Sequence, residues 1–153
     1  MKSPSRVLLL VTLLGSSARA DVKLPAIFSD HAVLQRDPRV PVWGVAEPGE
    51  KVTVKYAGQT QSATAGTDGK WQVALTNLKI GAPRTLTIEG KNTIAIQDVI
   101  VGEVWLGSGQ SNMAMTVARA RDFEAEQATA KFPLIRHFKE ESGPNGTAQT
   151  GGK

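Results

Sequence analysis

The chain has 153 residues, with 18 Lys plus Arg against 14 Asp plus Glu, a formal net charge of +4 and no cysteine. Without cysteine there is no disulfide framework, so the fold must rest on its core. Lys2, Arg6 and Arg19 fall in the first 20 residues, which hold no acidic group; the other 133 residues carry 15 basic against 14 acidic groups, a balance that gives no case for nucleic acid.

Residues 1–20, "MKSPSRVLLLVTLLGSSARA", read as a secretory signal. Lys2 and Arg6 precede the apolar run Val7 to Leu14, and Ala18-Arg19-Ala20 fits the small-x-small cleavage pattern. The run is too short to span a bilayer, so a secreted or periplasmic protein, free of the membrane after cleavage at Ala20, is expected.

From residue 21 to residue 98 the pattern is β. Short runs at Val40–Trp43, Lys51–Tyr56, Trp71–Leu75, Thr85–Glu89 and Thr93–Ile96 mostly alternate apolar with polar residues, as strands with one buried face do. Turn signals separate them: Glu47-Pro48-Gly49-Glu50, Ala57-Gly58, Thr67-Asp68-Gly69-Lys70, Gly81-Ala82-Pro83 and Glu89-Gly90-Lys91-Asn92. Asp68-Gly69 is expected to close a hairpin before Trp71. The spacing predicts a β-sandwich or jelly-roll-like module, with Trp43 and Trp71 as core anchors.

Near residue 99 the pattern changes. Val99 to Leu106 is almost continuously apolar, which predicts a strand buried on both faces with Trp105 in the core. Gly107 to Gln110 is a glycine-rich turn, and Asp122 to Lys131 predicts a helix with Asp122 as its N-cap. Pro133 ends it, and Leu134–Phe138 reads as a second strand. Strand, turn, helix and strand over residues 99–138 make one βαβ unit, the start of an α/β domain with a parallel sheet. One such unit cannot cover both faces of its sheet, so the domain is expected to be cut short. Residues 139–153 are polar and glycine-rich, which predicts a disordered tail; Asn145-Gly146-Thr147 within it fits a glycosylation acceptor.

The chemistry centres on "WLGSGQSNM", residues 105–113. Ligands of open α/β sheets bind beyond the carboxyl ends of the strands, and Ser111 lies just past such an end. There a hydroxyl can meet a substrate, while backbone N–H groups of the turn can hold a developing oxyanion. A serine needs a base, usually a histidine oriented by a carboxylate. The chain has only His31 and His137, and neither is obviously placed for the task. The lipase elbow Gly-x-Ser-x-Gly fails at Met113, and the dinucleotide fingerprint fails at Asn112. His31, Gln35 and Arg36 are read as structural residues at a module interface, and Arg136 as a partner for Asp30 or Glu103.

The blocks "LPAIFSDHAVLQRDPRVPVWGVAEPGEKVTV", "DGKWQV", "DVIVGEVWLGSGQSNM" and "KFPLIRHF", in that order, resemble the sialate O-acetylesterase family, a branch of the SGNH (GDSL-like) hydrolases. The resemblance covers about residues 22 to 138. It implies a β module followed by a flavodoxin-like SGNH domain. It further implies an esterase that removes O-acetyl groups from sialic acids or other glycans, with no metal or cofactor. It makes Ser111 the nucleophile that passes through an acetyl-enzyme. The N–H of Ser111 serves the oxyanion, and Gly109, Gln110 and Asn112 shape the substrate contact. The family's Asp-x-x-His is missing, because position 28 is Phe and position 134 is Leu. The chain therefore reads as the front part of such an enzyme, with little activity alone; the alternative is a non-catalytic carbohydrate-binding or scaffold module. Oligomeric state is not legible.

Overall fold

The computed structural model describes residues 21–139; the expected signal over residues 1–20 and residues 140–153, with the acceptor at Asn145, lie outside the described residues. Seven strands follow in order: β1 Val33–Gln35, β2 Arg39–Val45, β3 Lys51–Tyr56, β4 Gln59–Thr64, β5 Lys70–Thr76, β6 Arg84–Glu89 and β7 Thr93–Gly102. One sheet has the order β1-β7-β6-β3-β4 and the second pairs β2 with β5. Every pairing is antiparallel except β1 with β7, which run parallel.

Alternation explains the layering. In β2 the even positions Val40 and Val42 are buried while Arg39, Pro41, Trp43 and Val45 face outward. In β3, Val52, Val54 and Tyr56 point inward, and in β6 Leu86 and Ile88 do so. These side chains join Trp71, Val73, Leu75, Ile96, Val99 and Val101 in one core between the two sheets. The expected strand-rich module is thus formed, from a five-stranded and a two-stranded sheet around one core. Its core contains no buried polar or charged residue among those described. The hydroxyl of Tyr56 donates to Val99 O at 3.1 Å, and burial raises the pKa of that phenol.

One strand carries no apolar alternation. β4, "QTQSAT", is an edge strand of mostly exposed polar residues, held in register with β3 by a two-residue turn at Ala57-Gly58. Both turn residues have positive φ, 48° and 80°, as a type I′ hairpin demands. A polar edge also discourages pairing with other chains. The Gln59 side chain accepts from Thr76 N and donates to Thr76 O, at 2.9 and 2.7 Å, and so ties this edge to the other sheet. Asp68-Gly69, by contrast, closes no hairpin: the strands it joins, β4 and β5, belong to different sheets. The backbone N–H of Lys70, reinforced by its ammonium, holds the Asp68 carboxyl below the usual carboxylate range.

The expected runs Thr93–Ile96 and Val99–Leu106 are one strand, β7, and it stops at Gly102. Its first part pairs with β6; its last residues, Ile100 to Gly102, pair with β1. Asp98, at φ 56°, breaks the alternation where the register against β6 shifts. β7 therefore crosses the boundary drawn between residues 98 and 99 without interruption, and Val99 to Val101 are buried with the β module.

Beyond Gly102 the expectations fail in particular ways. Trp105 is 88% exposed and Leu106 95%, so neither belongs to a buried strand. The helix is shorter than expected, α1 Phe123–Thr129, and Asp122 makes no side-chain cap bond, its backbone being left-handed at φ 59°. Leu134 to Phe138 forms no strand. A strand needs a neighbour to take its backbone hydrogen bonds, and no described strand pairs with this segment. No βαβ unit is completed among the described residues.

Candidate active site

Ser111 opens a short 3₁₀ turn, Ser111–Ala114, preceded by Gln110 in extended conformation. The Met113 N–H donates to Gln110 O at 2.9 Å and the Met115 N–H to Asn112 O at 3.3 Å, which closes the turn. Gly107 and Gly109 make room for Met113: a Cβ at Gly109 would stand 2.7 Å from Met113 Cγ, and one at Gly107 3.1 Å from Met113 Cε. The close approach of the methionine thus favours glycine at both positions, most strongly at Gly109, and folds the loop over itself. Ser111, Gly109, Gln110 and Asn112 are all exposed, so the hydroxyl is open to solvent.

The loop is positioned from below. The Gln35 side chain accepts from Val104 N at 2.7 Å and donates to Glu103 Oε2 at 3.1 Å. Arg36 pairs with Glu103 at 2.6 Å, and its N–H donates to Gly102 O at 2.8 Å. The segment leaving β7 is therefore gripped by the residues that follow Leu34. This is the physical role of Gln35 and Arg36, and it accords with their reading as structural residues.

His31 has a different partner from any foreseen. Its Nδ1 lies 2.5 Å from Asp98 Oδ2, and both residues have left-handed backbones, at φ 67° and 56°. Non-glycine residues adopt that region at a cost and only where surrounding contacts compel it. Here the His31 N–H donates to Gln97 O at 3.0 Å, and Asp30 Oδ1 accepts from Gln97 N at 2.7 Å. Arg136 completes the cluster. Its guanidinium bonds to Asp98 Oδ2 at 2.9 Å, to Asp98 O, and to Ala32 O at 3.3 Å. The expected partners, Asp30 and Glu103, are not used. The hydrogen bond from His31 and the charge of Arg136 hold the Asp98 carboxyl below the usual range. The pairing of Asp98 with residues 67 and 38 positions away is carried by no single stretch of sequence.

A histidine held at Nδ1 by a carboxylate is the orienting half of a catalytic triad. No hydrogen bond among the described residues links it, or His137, to Ser111. The candidate loop residues thus lie on one short turn, and His31 is bonded to Asp98 instead of Ser111. Of the tryptophans, Trp71 is buried at 3% exposure, whereas Trp43 is 39% exposed and stands edge-on to Phe28, with ring centres 4.8 Å apart.

No protein-family model matches the chain. It is 34% identical over 145 residues to a sialate O-acetylesterase of Mus musculus, a match covering 86% of this chain and 27% of that protein. To the sialate O-acetylesterase of Homo sapiens it is 34% identical over 143 residues, covering 85% and 27%. Among solved structures it superimposes on a carbohydrate acetylesterase from Xanthomonas citri with a TM-score of 0.65 and 37% identity, over 68% of this chain and 24% of that one. The chain thus spans about a quarter of the length of the curated relatives it matches. The resemblance read from the sequence is borne out, and these relatives are esterases by name.

Proposed function

We propose that this chain, which belongs to the sialate O-acetylesterase family along the matched segment, carries the nucleophile loop of a carbohydrate O-acetylesterase. Ser111 Oγ bonds to the acetyl carbonyl carbon as its proton passes to a base. The sugar oxygen then leaves with a proton, and water releases acetate from the acetyl-enzyme. The Ser111 N–H faces the developing oxyanion, and Gly109, Gln110 and Asn112 line the approach of the sugar. The single observation that carries the reading is an exposed Ser111, on a folded-over Gly-Gln-Ser-Asn-Met loop, inside a segment homologous to acetylesterases.

On this reading residues 1–20 direct export, the sandwich through β7 is a support, and the segment after Gly102 opens an SGNH hydrolase domain. Its exposed apolar side chains, among them Trp105, Leu106, Phe132, Leu134 and Ile135, are suited to packing against further strands and helices of that domain. The base comes from that further part, since neither histidine here is bonded to Ser111. The test is a chimera in which this chain replaces the homologous segment of the Xanthomonas acetylesterase. Acetate release from an O-acetylated sugar is expected, falling by about 10³-fold or more in Ser111→Ala. Equal rates with and without Ser111 would overturn the reading. The 153-residue chain alone is expected to show little turnover of an aryl acetate.

A further inference from the structure

We infer that the outer face of the β2–β5 sheet holds a separate binding cleft for an acidic sugar. The cleft, about 580 Å³, lies between that face and the strip Lys23–Pro25. Its construction follows from register. Trp43 points away from the core and sits opposite Gln72 on β5; the next outward pair is Val45 opposite Lys70. An aromatic plate is thereby set beside an amide and an ammonium on one surface. Lys23 forms the other side, because its backbone pairs with Val45, N to O at 2.8 Å and O to N at 3.0 Å.

Two features select the ligand. First, the exposed Trp43 is held edge-on by Phe28, so its position is set before any ligand arrives. A flat apolar plate suits the C–H face of a pyranose ring, and aromatic side chains with one wet edge are favoured in recognition sites. Second, the hydrogen-bonding side chains at the cleft are Gln72, Lys23 and Lys70, and no carboxylate lines it. Lys70 is partly neutralised by Asp68 at 3.2 Å, while the Lys23 ammonium has no ion-pair partner among the described residues. That imbalance favours a ligand with a carboxylate, bound near Lys23. An apolar peptide would satisfy the plate and leave Gln72 and Lys23 without purpose.

The site is independent of Ser111 and binds without hydrolysis, so a sugar lacking any acetyl ester tests it whatever the fate of the esterase reading. The purified chain is titrated with the methyl glycoside of an acidic nonulose and, separately, with methyl galactoside, and tryptophan fluorescence and ligand-detected NMR are followed. Saturable binding of the acidic sugar is expected. It should weaken about tenfold or more in Trp43→Ala. In Lys23→Gln it should weaken about two- to fivefold, with the weaker neutral sugar unaffected. Because Trp43 also touches Phe28, Trp43→Phe is the second variant if the first fails to fold, and it is expected to bind at intermediate strength. No saturable binding, equal affinity for the two sugars, or indifference to both Trp43→Phe and Lys23→Gln would overturn the inference. So would a dimer of the chain that Trp43→Ala dissociates while no sugar binds.

Discussion

Replacing Gly44 by alanine probes how the first residues of the β module are bound to it. A Cβ at this position would stand 2.3 Å from Lys23 O, 2.9 Å from Trp71 Cζ2 and 3.2 Å from Leu24 Cδ2. The first neighbour is backbone, so the strand cannot yield by a rotamer change, and the Lys23–Val45 bridge must open. Losing its two hydrogen bonds costs about 1 kcal/mol each. Pressing on the packed Trp71 ring adds about 1–3 kcal/mol. The smaller entropy of an unfolded alanine returns about 0.4–1 kcal/mol. The net loss is about 2–5 kcal/mol, or a fall in Tm on the order of 10–30 °C for a domain of this size. Urea and thermal unfolding followed by circular dichroism measure it. Gly58→Ala is the control: its φ is +80°, nothing lies within 4 Å of the added carbon, and only about 1 kcal/mol is lost. A loss below about 0.5 kcal/mol in Gly44→Ala would refute the close approach of strip and strand.

Three further outcomes are expected. Trp105→Ser with Leu106→Ser should change the stability of the sandwich by less than about 0.5 kcal/mol, since both side chains are exposed; a loss above about 2 kcal/mol by urea unfolding would place them in the core. Asp98→Asn tests the His31–Arg136 cluster through pH. The Asp98 carboxyl is depressed in the folded state, so its contribution is fully present above the ordinary carboxylate pKa of about 3.9 and is lost as pH falls from there through the lower folded value. Asparagine tolerates the left-handed backbone but cannot titrate, so the variant should lose part of the stability slope below about pH 4; an unchanged slope would contradict the pairing. Finally, Gln35→Ala in the chimera should lower kcat of acetate release more than it raises KM, because Gln35 holds Val104 and thereby the loop; an unchanged kcat would show that this grip does not position Ser111.

Much of the sandwich was legible because its strands bury one face. Val52, Val54 and Tyr56, or Leu86 and Ile88, alternate in the sequence as they do in space. β4 was illegible for the opposite reason: an edge strand with nearly every side chain exposed has no apolar period, and only its Ala57-Gly58 turn marks it. Trp43 and Trp71 look alike in sequence, yet the strand period places them on opposite faces of one sheet. Counting alternate positions from Val42 would have sent Trp43 outward. The continuous apolar run from Val99 masked two environments, a buried strand end and an exposed segment, because apolar character reports what a residue favours and not whether a partner is there. At the candidate site, the loop around Ser111 is contiguous and so was readable. The His31–Asp98–Arg136 cluster joins three distant segments, and no single stretch of sequence carries its geometry.

The most direct test of the central claim is the covalent intermediate itself. The chimera is mixed with an O-acetylated sugar, quenched in acid during turnover and digested, and the peptide containing residues 105–113 is weighed. One acetyl group on Ser111, absent from the Ser111→Ala protein and lost on longer incubation without substrate, is the predicted result. Steady turnover with that peptide unmodified, or with activity surviving in Ser111→Ala, would contradict the account.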